Sequence, residues 1–182
     1  VLGHEGSGIV EKIGASVTRV AIGDPVVLTF GFCGKCPSCE SGAPTHCADH
    51  HALQFKGTRL DGSSPLSQDG APIYGAFFQQ SSFSTHPVAT ERNAIPISAD
   101  APIEMLCPLG CGIQTGAGAI LNYLNVADGS QVAIFVTGAV GLRHVTGASA
   151  AGAARTTSVP GSPSRFAHDL HPAAPGVVAT RE

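Results

Sequence analysis

Cys33, Cys36, Cys39 and Cys47 stand at the spacing C-x2-C-x2-C-x7-C. Two-residue gaps let a turn bring successive sulfurs within reach of one ion, and the longer arm supplies a fourth ligand from the far side of a loop. Four thiolates closing a tetrahedron are what a structural zinc site needs. Gly34, Pro37, Ser38, Ser41, Gly42 and Pro44 punctuate the segment and suit a loop. The other readings of the same spacing are a disulfide pair, which needs an oxidising compartment, or an iron site. A site closed by four cysteines has no open position, so chemistry must happen elsewhere.

Two further segments could do that chemistry. In Gly3-His4-Glu5-Gly6-Ser7-Gly8 an imidazole lies beside a carboxylate among glycines. Imidazole is a good zinc ligand, and the carboxylate can be a second ligand or a charge that tunes the metal. Taken alone, a His-Glu pair in such a turn is also compatible with a structural role. In Leu109-Gly110-Cys111-Gly112-Ile113-Gln114-Thr115-Gly116, Cys111 lies at an expected helix N-terminus, where orphan amides favour a thiolate. An inert buried thiol is the alternative there, and it is the reading that fits Cys107.

The elements that must position these residues follow from pattern. Short strands are expected at residues 9–10, 17–20 and 26–30, with a turn at Asp24-Pro25. Residues 56–75 are polar and turn-rich, with loop or hairpin signals at Asp61-Gly62 and Asp69-Gly70. Residues 82–88 and 94–97 read as further strands, and residues 102–125 as two helices meeting near Gly110. A second unit then opens: a turn at Asp128-Gly129, an apolar strand over residues 131–136, and Gly138-Ala139-Val140-Gly141-Leu142. Strand, tight glycine turn and helix start are the opening of a dinucleotide-binding βαβ unit.

Composition sets the outer bounds. The chain has 182 residues, 43% of them hydrophobic and only 13% charged, against roughly 25% charged in ordinary soluble domains. A net charge of −3 gives no electrostatic case for nucleic acid or an anionic membrane. No apolar run approaches the ~18 residues that span a bilayer, and no secretory leader pattern is present. A cytoplasmic location is expected. Val1 opens the text in mid-motif, so the chain reads as a fragment.

Taken together and in order, these motifs resemble one family, the medium-chain zinc-dependent alcohol dehydrogenases. Gly3-His4-Glu5-x-x-Gly8, with Val10, Gly14, Val17 and Gly23-Asp24-x-Val26, is similar to the family's metal-binding signature. The four-cysteine lobe, residues 31–48, matches its structural zinc loop. The Cys111 segment resembles the one carrying the last catalytic zinc ligand, and Ala71 to Phe83, with Gln80-Ser81-Ser82-Phe83, looks like the aryl-alcohol (benzyl alcohol) branch.

The resemblance implies an α/β fold with a β-rich part: a GroES-like catalytic domain over residues 1–125, then the start of a Rossmann nucleotide-binding domain over residues 126–182. It implies His4 and Cys111 as catalytic zinc ligands, Glu5 as an alternate ligand or neighbour of the ion, and Thr115 against the nicotinamide. Gly138, Ala139, Val140 and Gly141 would line the turn under the cofactor, and Thr29 and Phe30 would approach the substrate. The implied reaction interconverts primary, aromatic alcohols and aldehydes by hydride transfer to NAD or NADP, in a homo-oligomeric parent. The upstream cysteine that completes the family's catalytic zinc site, and its proton-relaying hydroxyl, do not occur in these residues, so the chain alone is expected to be inactive. The alternatives are a non-enzymatic zinc-stabilised binding module and a related polyol or formaldehyde dehydrogenase.

The pattern departs at its end. Val136 stands where G-x-G-x-x-G has its first glycine. Arg143, His144, Thr146, Gly147 and Ser149 interrupt the expected apolar helix face, and Thr156-Thr157-Ser158-Val159 runs into Pro160 with no acid for the ribose. Arg165 reads as a surface residue, as do His144, His168 and His171. Residues 143–182 carry four arginines against one aspartate and one glutamate (+2), whereas residues 1–142 carry six basic against eleven acidic side chains (−5). That shift suggests a degraded or poorly folding tail, and an error in the sequence would give the same pattern.

Overall fold

A computed structural model describes residues 1–136 and 138–158. Two compact units divide between Cys111 and Gly112. The first is organised on β1 (Ser7–Ile9) and β2 (Pro25–Leu28), which pair antiparallel with Gly8 opposite Val26. After β2 come the short helix α1 (Pro37–Glu40), inside the cysteine lobe, and α2 (His50–Phe55). A hairpin of β3 (Leu66–Gln68) and β4 (Ala71–Ile73) follows, and β5 (Ala94–Pro96) closes the sheet in the order β1-β2-β5. Val26, Val27 and Leu28 are all buried because β2 is the central strand with both faces covered. Val26, Leu28 and Ala94 form its core, with Val10, Val20 and Ala89 packed against them.

The hairpin turn falls on Asp69-Gly70, as its sequence predicts. Asp69 at φ 51° and Gly70 at φ 79° supply the two left-handed residues that a two-residue hairpin loop requires.

Two expected strands are absent, each for a visible reason. At residues 17–20 the amides of Thr18 and Arg19 donate to the Glu91 carboxylate, at 3.0 and 3.2 Å, rather than to a neighbouring strand. Those two amides hold the Glu91 carboxyl below its ordinary value. In residues 82–88 only the first two amides find a backbone partner among the described residues, Ser82 to Gly3 and Phe83 to Leu2. Pro87 has no N–H to extend such a ladder. Conversely, α2 is unannounced, since six residues are too few to show a helical period.

Irregular backbone in this unit is tied down by buried amides. Gln54, Gln80 and Asn93 have no exposed surface. Asn93 Nδ2 donates to the carbonyls of Thr29 (3.0 Å) and Phe78 (3.1 Å). Asn93→Leu removes this donor from both carbonyls, but Thr29 still accepts from Gln80 Nε2 at 3.0 Å, so the Phe78 carbonyl bears the loss. Such a loss costs about 1–3 kcal/mol, and urea denaturation should show a destabilisation of about that size. A change below about 0.5 kcal/mol would refute the role.

The two helices expected to meet near Gly110 do so. α3 (Ile103–Leu106) passes into a 3-10 turn at Cys107–Gly110, and α4 (Gly112–Gly118) starts just beyond Cys111. In the second unit β6 (Gln131–Ile134) leads through the glycine turn into α5 (Ala139–Ala150) and then β7 (Arg155–Ser158). β6 and β7 are parallel, Gln131 opposite Arg155 through Ile134 opposite Ser158. This corrects the expectation that the segment from residue 143 folds poorly, as far as residue 158. The buried face of α5 is built from small residues, Gly141, Val145, Gly147 and Ala148. A Cβ on Gly147 would lie 3.1 Å from the Ala117 Cα, so close helix approach replaces the bulky stripe. His144 is half-buried, with Nδ1 2.9 Å from the Val140 carbonyl. Arg165, His168, His171, Val159 and Pro160 lie outside the described residues. Among the described residues no helix is long and apolar enough to cross a membrane.

Candidate functional site

The lobe brings its four sulfurs together, all within 4.8 Å of one another. Cys36 and Cys39 are 3.5 Å apart, and Cys33 and Cys39 4.0 Å. A tetrahedron with zinc–sulfur bonds near 2.3 Å has sulfur–sulfur edges of about 3.8 Å. A disulfide needs about 2.05 Å, and all six cysteines are free thiols. The donor set and its spacing fit a zinc ion, and the cluster is positioned for a structural one. α1, with Pro37 in its first turn, carries Cys39, and the turn at Pro44–His46 delivers Cys47. The Cys33 amide donates to the Cys47 sulfur at 3.3 Å.

The thiols are not equivalent. Amides of Ala48 and then Cys39 point at the Cys36 sulfur and hold it down to about 6. Burial, with the neighbouring sulfurs, pushes Cys39 up to about 12. At Cys33 the Lys35 amide favours the thiolate, but burial and the Cys47 and Cys36 sulfurs outweigh it, and the thiol is raised. One sulfur is therefore ready as a thiolate, and others must lose a proton to solvent as a metal binds.

His4, Glu5 and Cys111 form a second cluster, their ligand atoms again within 4.8 Å of one another. Both arms are held by backbone contacts. Gly3, at φ 98°, packs so closely that a Cβ would lie 2.3 Å from the Phe83 nitrogen. Gln80 Nε2 donates to the His4 carbonyl at 3.0 Å, and the Leu28 amide to the Gly6 carbonyl at 2.8 Å. On the other arm Thr29 Oγ1 donates to the Gly110 carbonyl at 3.3 Å. Gly110 itself lies against β2, where a Cβ would meet the Leu28 oxygen at 1.9 Å.

His4 and Cys111 are half-buried and Glu5 is exposed. Burial, then the charge and hydrogen bond of Glu5, raise the Cys111 thiol. A thiol whose ionisation a neighbouring carboxylate opposes is a donor that a cation would favour. Nitrogen, oxygen and sulfur donors converging on one point fit zinc, and such a set does not close a tetrahedron. Among the expected substrate-side residues, Thr29 is turned to Gly110 and Phe30 packs near Phe32, ring centroids 6.3 Å apart.

The residues expected on the cofactor side all fall in the second unit. Thr115 is exposed on α4. Beside it, a Cβ on Gly116 would lie 2.4 Å from the Val140 carbonyl, so α4 presses against the glycine turn. Gly138 is the N-cap of α5, and Ala139 and Val140 open the helix. A Cβ on Gly141 would meet the Val136 oxygen at 2.0 Å, which is the close strand–helix approach a dinucleotide turn needs from its last glycine. Val136 thus occupies the first glycine position while its carbonyl keeps the close approach to Gly141.

Residues 1–99 match the family model of the alcohol dehydrogenase GroES-like domain. The chain belongs to this family. The β-rich GroES-like first unit and the strand–helix–strand that follows it are the fold class the motifs imply. Geraniol dehydrogenase of Castellaniella defragrans is 46% identical over 97% of the chain, which covers 50% of that protein. The alcohol dehydrogenase zinc-binding domain protein of Burkholderia ambifaria is similar with a TM-score of 0.93 and 47% identity, over 98% of this chain and 49% of that one. Benzyl alcohol dehydrogenase of Acinetobacter calcoaceticus gives a TM-score of 0.90 and 42% identity, over 98% and 48%. The chain therefore spans about half the length of the relatives it matches.

Sequence reasoning missed the residues that support this dehydrogenase-family site from behind. Asn93, Gln80, Gln54 and Gln79 are buried amides bonded to backbone carbonyls. Phe77 and Phe78 lie against the His4 ring. Single amides scattered over a short helix, a tight turn and loops have no period or spacing to announce them.

Proposed function

We propose that the protein is a zinc-dependent oxidoreductase that interconverts primary, aromatic alcohols and aldehydes by hydride transfer to NAD or NADP. The observation that carries this reading is the convergence of His4, Glu5 and Cys111 within 4.8 Å, apart from the closed cysteine lobe. A non-enzymatic zinc module would need the lobe but not this second set. The relatives named for geraniol and benzyl alcohol both point to primary alcohols next to an unsaturated carbon. Polyol or formaldehyde oxidation is the competing chemistry, and substrate profiling of the full-length protein separates them.

His4 and Cys111 would hold the ion, with Glu5 as alternate ligand or neighbouring charge. Zinc at such an open site supplies Lewis acidity, lowering the pKa of a bound alcohol as it does that of water. Gly138, Ala139, Val140 and Gly141 would let the cofactor pyrophosphate approach backbone amides at the start of α5, where the helix dipole favours negative charge. Thr115 would lie against the nicotinamide, the group that takes the hydride. Residues 1–125 would then carry both metal centres and residues 126–182 begin the cofactor domain. Free thiolates in the lobe need a reducing compartment, which favours the cytoplasm, and a homo-oligomer is the expected assembly.

In the full-length protein, His4→Ala and Cys111→Ser should each lower kcat/KM for benzyl alcohol with NAD by at least about a hundredfold, the loss of a metal contribution of several kcal/mol. Near-normal turnover in either variant would sink the assignment. The 182 residues alone should hold one zinc tightly at the lobe, with little or no turnover. Two tightly held zinc ions per chain, or benzyl alcohol oxidation by the chain alone, would contradict this.

A further inference from the structure

The segment at residues 77–81 has the most unusual backbone of the first unit. Phe78 (φ 51°), Gln79 (φ 56°) and Ser81 (φ 43°) all lie in the left-handed region although none is glycine. Such conformations cost of order 1–3 kcal/mol each and persist only where surrounding contacts over-determine them. Those contacts are present. The Phe78 carbonyl accepts from Asn93 Nδ2 at 3.1 Å. Gln79 Nε2 reaches the carbonyls of Leu53, Thr58 and Ala76 at 3.1, 3.0 and 3.2 Å. Ser81 Oγ donates to the Val1 carbonyl at 2.8 Å, and the Phe77 amide donates to Ser81 Oγ at 2.9 Å.

What the clamped turn presents is two aromatic rings to one imidazole. The Phe78 ring lies 4.7 Å from the His4 ring, centroid to centroid, tilted by 34°, and so covers one face. The Phe77 ring meets it edge-on, at 6.1 Å and 85°. Phe77 and Phe78 support each other at 4.9 Å, with Phe55 5.5 Å from Phe78. From the next position of the same turn, Gln80 Nε2 holds the His4 carbonyl at 3.0 Å. One short segment therefore fixes both the backbone and the ring plane of His4.

We propose that the turn at residues 77–81 is a positioning device for His4, and that Phe78 sets the orientation in which the imidazole meets the metal. The proposal rests on the reading of His4 as a metal ligand. Groups behind a metal-binding histidine are usually hydrogen-bond acceptors that orient the ring. Ring stacking constrains the same ring plane, and a held plane aims the nitrogen lone pair. The contacts that clamp the strained turn are what keep the phenyl ring from relaxing away.

The test uses Co2+ as the probe on the full-length protein, its lobe filled with Zn2+ and its second site emptied. Cobalt at the second site should give a thiolate-to-metal absorption band from Cys111, lost in His4→Ala. Phe78→Leu should weaken cobalt binding about tenfold or more, the usual consequence of losing a group that orients a ligand, and should shift the visible band. Phe78→Tyr, which keeps the ring, should restore both. Lobe zinc content should stay at one per chain in each variant, showing that the fold is kept. If Phe78→Leu loses its lobe zinc, Phe78→Met, of similar volume without a ring, is read by the same criteria. Unchanged cobalt affinity and spectrum in the ring-free variant, with the site lost in His4→Ala, would overturn the positioning role alone. Retention of the cobalt band in His4→Ala would overturn the metal-ligand reading and the proposal with it.

Discussion

Gly110→Ala is expected to lower stability by about 3 kcal/mol and to abolish metal binding at His4, Glu5 and Cys111. The added methyl carbon would lie 1.9 Å from the Leu28 oxygen, 2.9 Å from the Leu28 carbonyl carbon and 3.2 Å from the Thr29 Cα. All three are backbone atoms of, or next to, the central strand β2, so no side chain can swing aside. Relief must come from moving the segment 107–111 off the sheet, and Cys111 moves with it. Overpacking of this kind costs about 1–3 kcal/mol, occasionally more; rigid backbone on both sides places this case at the upper end. Gly118→Ala is the control. It ends α4 with nothing nearer than the Asn122 Nδ2 at 3.8 Å, and alanine there should be neutral or stabilising by a few tenths to about 1 kcal/mol. Urea denaturation and cobalt uptake measure both effects. Equal stability of the two variants would disprove the close-packing argument.

Cys47→Ser should remove the tightly held lobe zinc and lower the thermal midpoint by at least about 10 °C, because a structural zinc site contributes folding energy outright. The lobe has little else to hold it. Its buried cluster is Cys33, Cys47 and Leu53, with Phe32, Cys36 and Cys39 packed around it, so the ligands are themselves most of the core. Serine keeps the size but offers a hard hydroxyl in place of a soft thiolate. Chelation should reproduce the loss in the wild-type chain and add nothing in the variant. A variant with full zinc and an unshifted midpoint would refute the role.

Zinc uptake at the lobe should strengthen as pH rises. The bound state is fully deprotonated, whereas the thiols of Cys33 and Cys39 are raised in the free cluster, so binding releases protons. Cys36, held down to about 6, adds little to this dependence above that pH. Calorimetry in buffers of different ionisation enthalpy would count the protons.

Chain chemistry alone determined a good deal. The four cysteines are close neighbours in sequence, so their spacing almost compels their convergence, and short loops cannot carry them far apart. Asp69-Gly70 determined its hairpin turn for the same reason, since left-handed φ is a property of the residues themselves. Gly138 and Gly141 after an apolar strand were also legible, because tight turns need local freedom.

Other features were decided only in three dimensions. His4 and Cys111 are more than a hundred positions apart, and proximity came from Gly110 packing on the carbonyl of Leu28. Residues 17–20 look like a strand but lose their amides to Glu91, a partner some 70 residues away. The helix α5 looked too polar, yet its glycines and alanine pack closely enough to need no larger side chains. Phe78 could have been any apolar residue until its ring was seen against His4. Residue types and local spacing specify which atoms could bind a metal or bend a turn. Contacts between distant segments specify which of those atoms meet, because they depend on backbone surfaces that no single stretch of sequence contains.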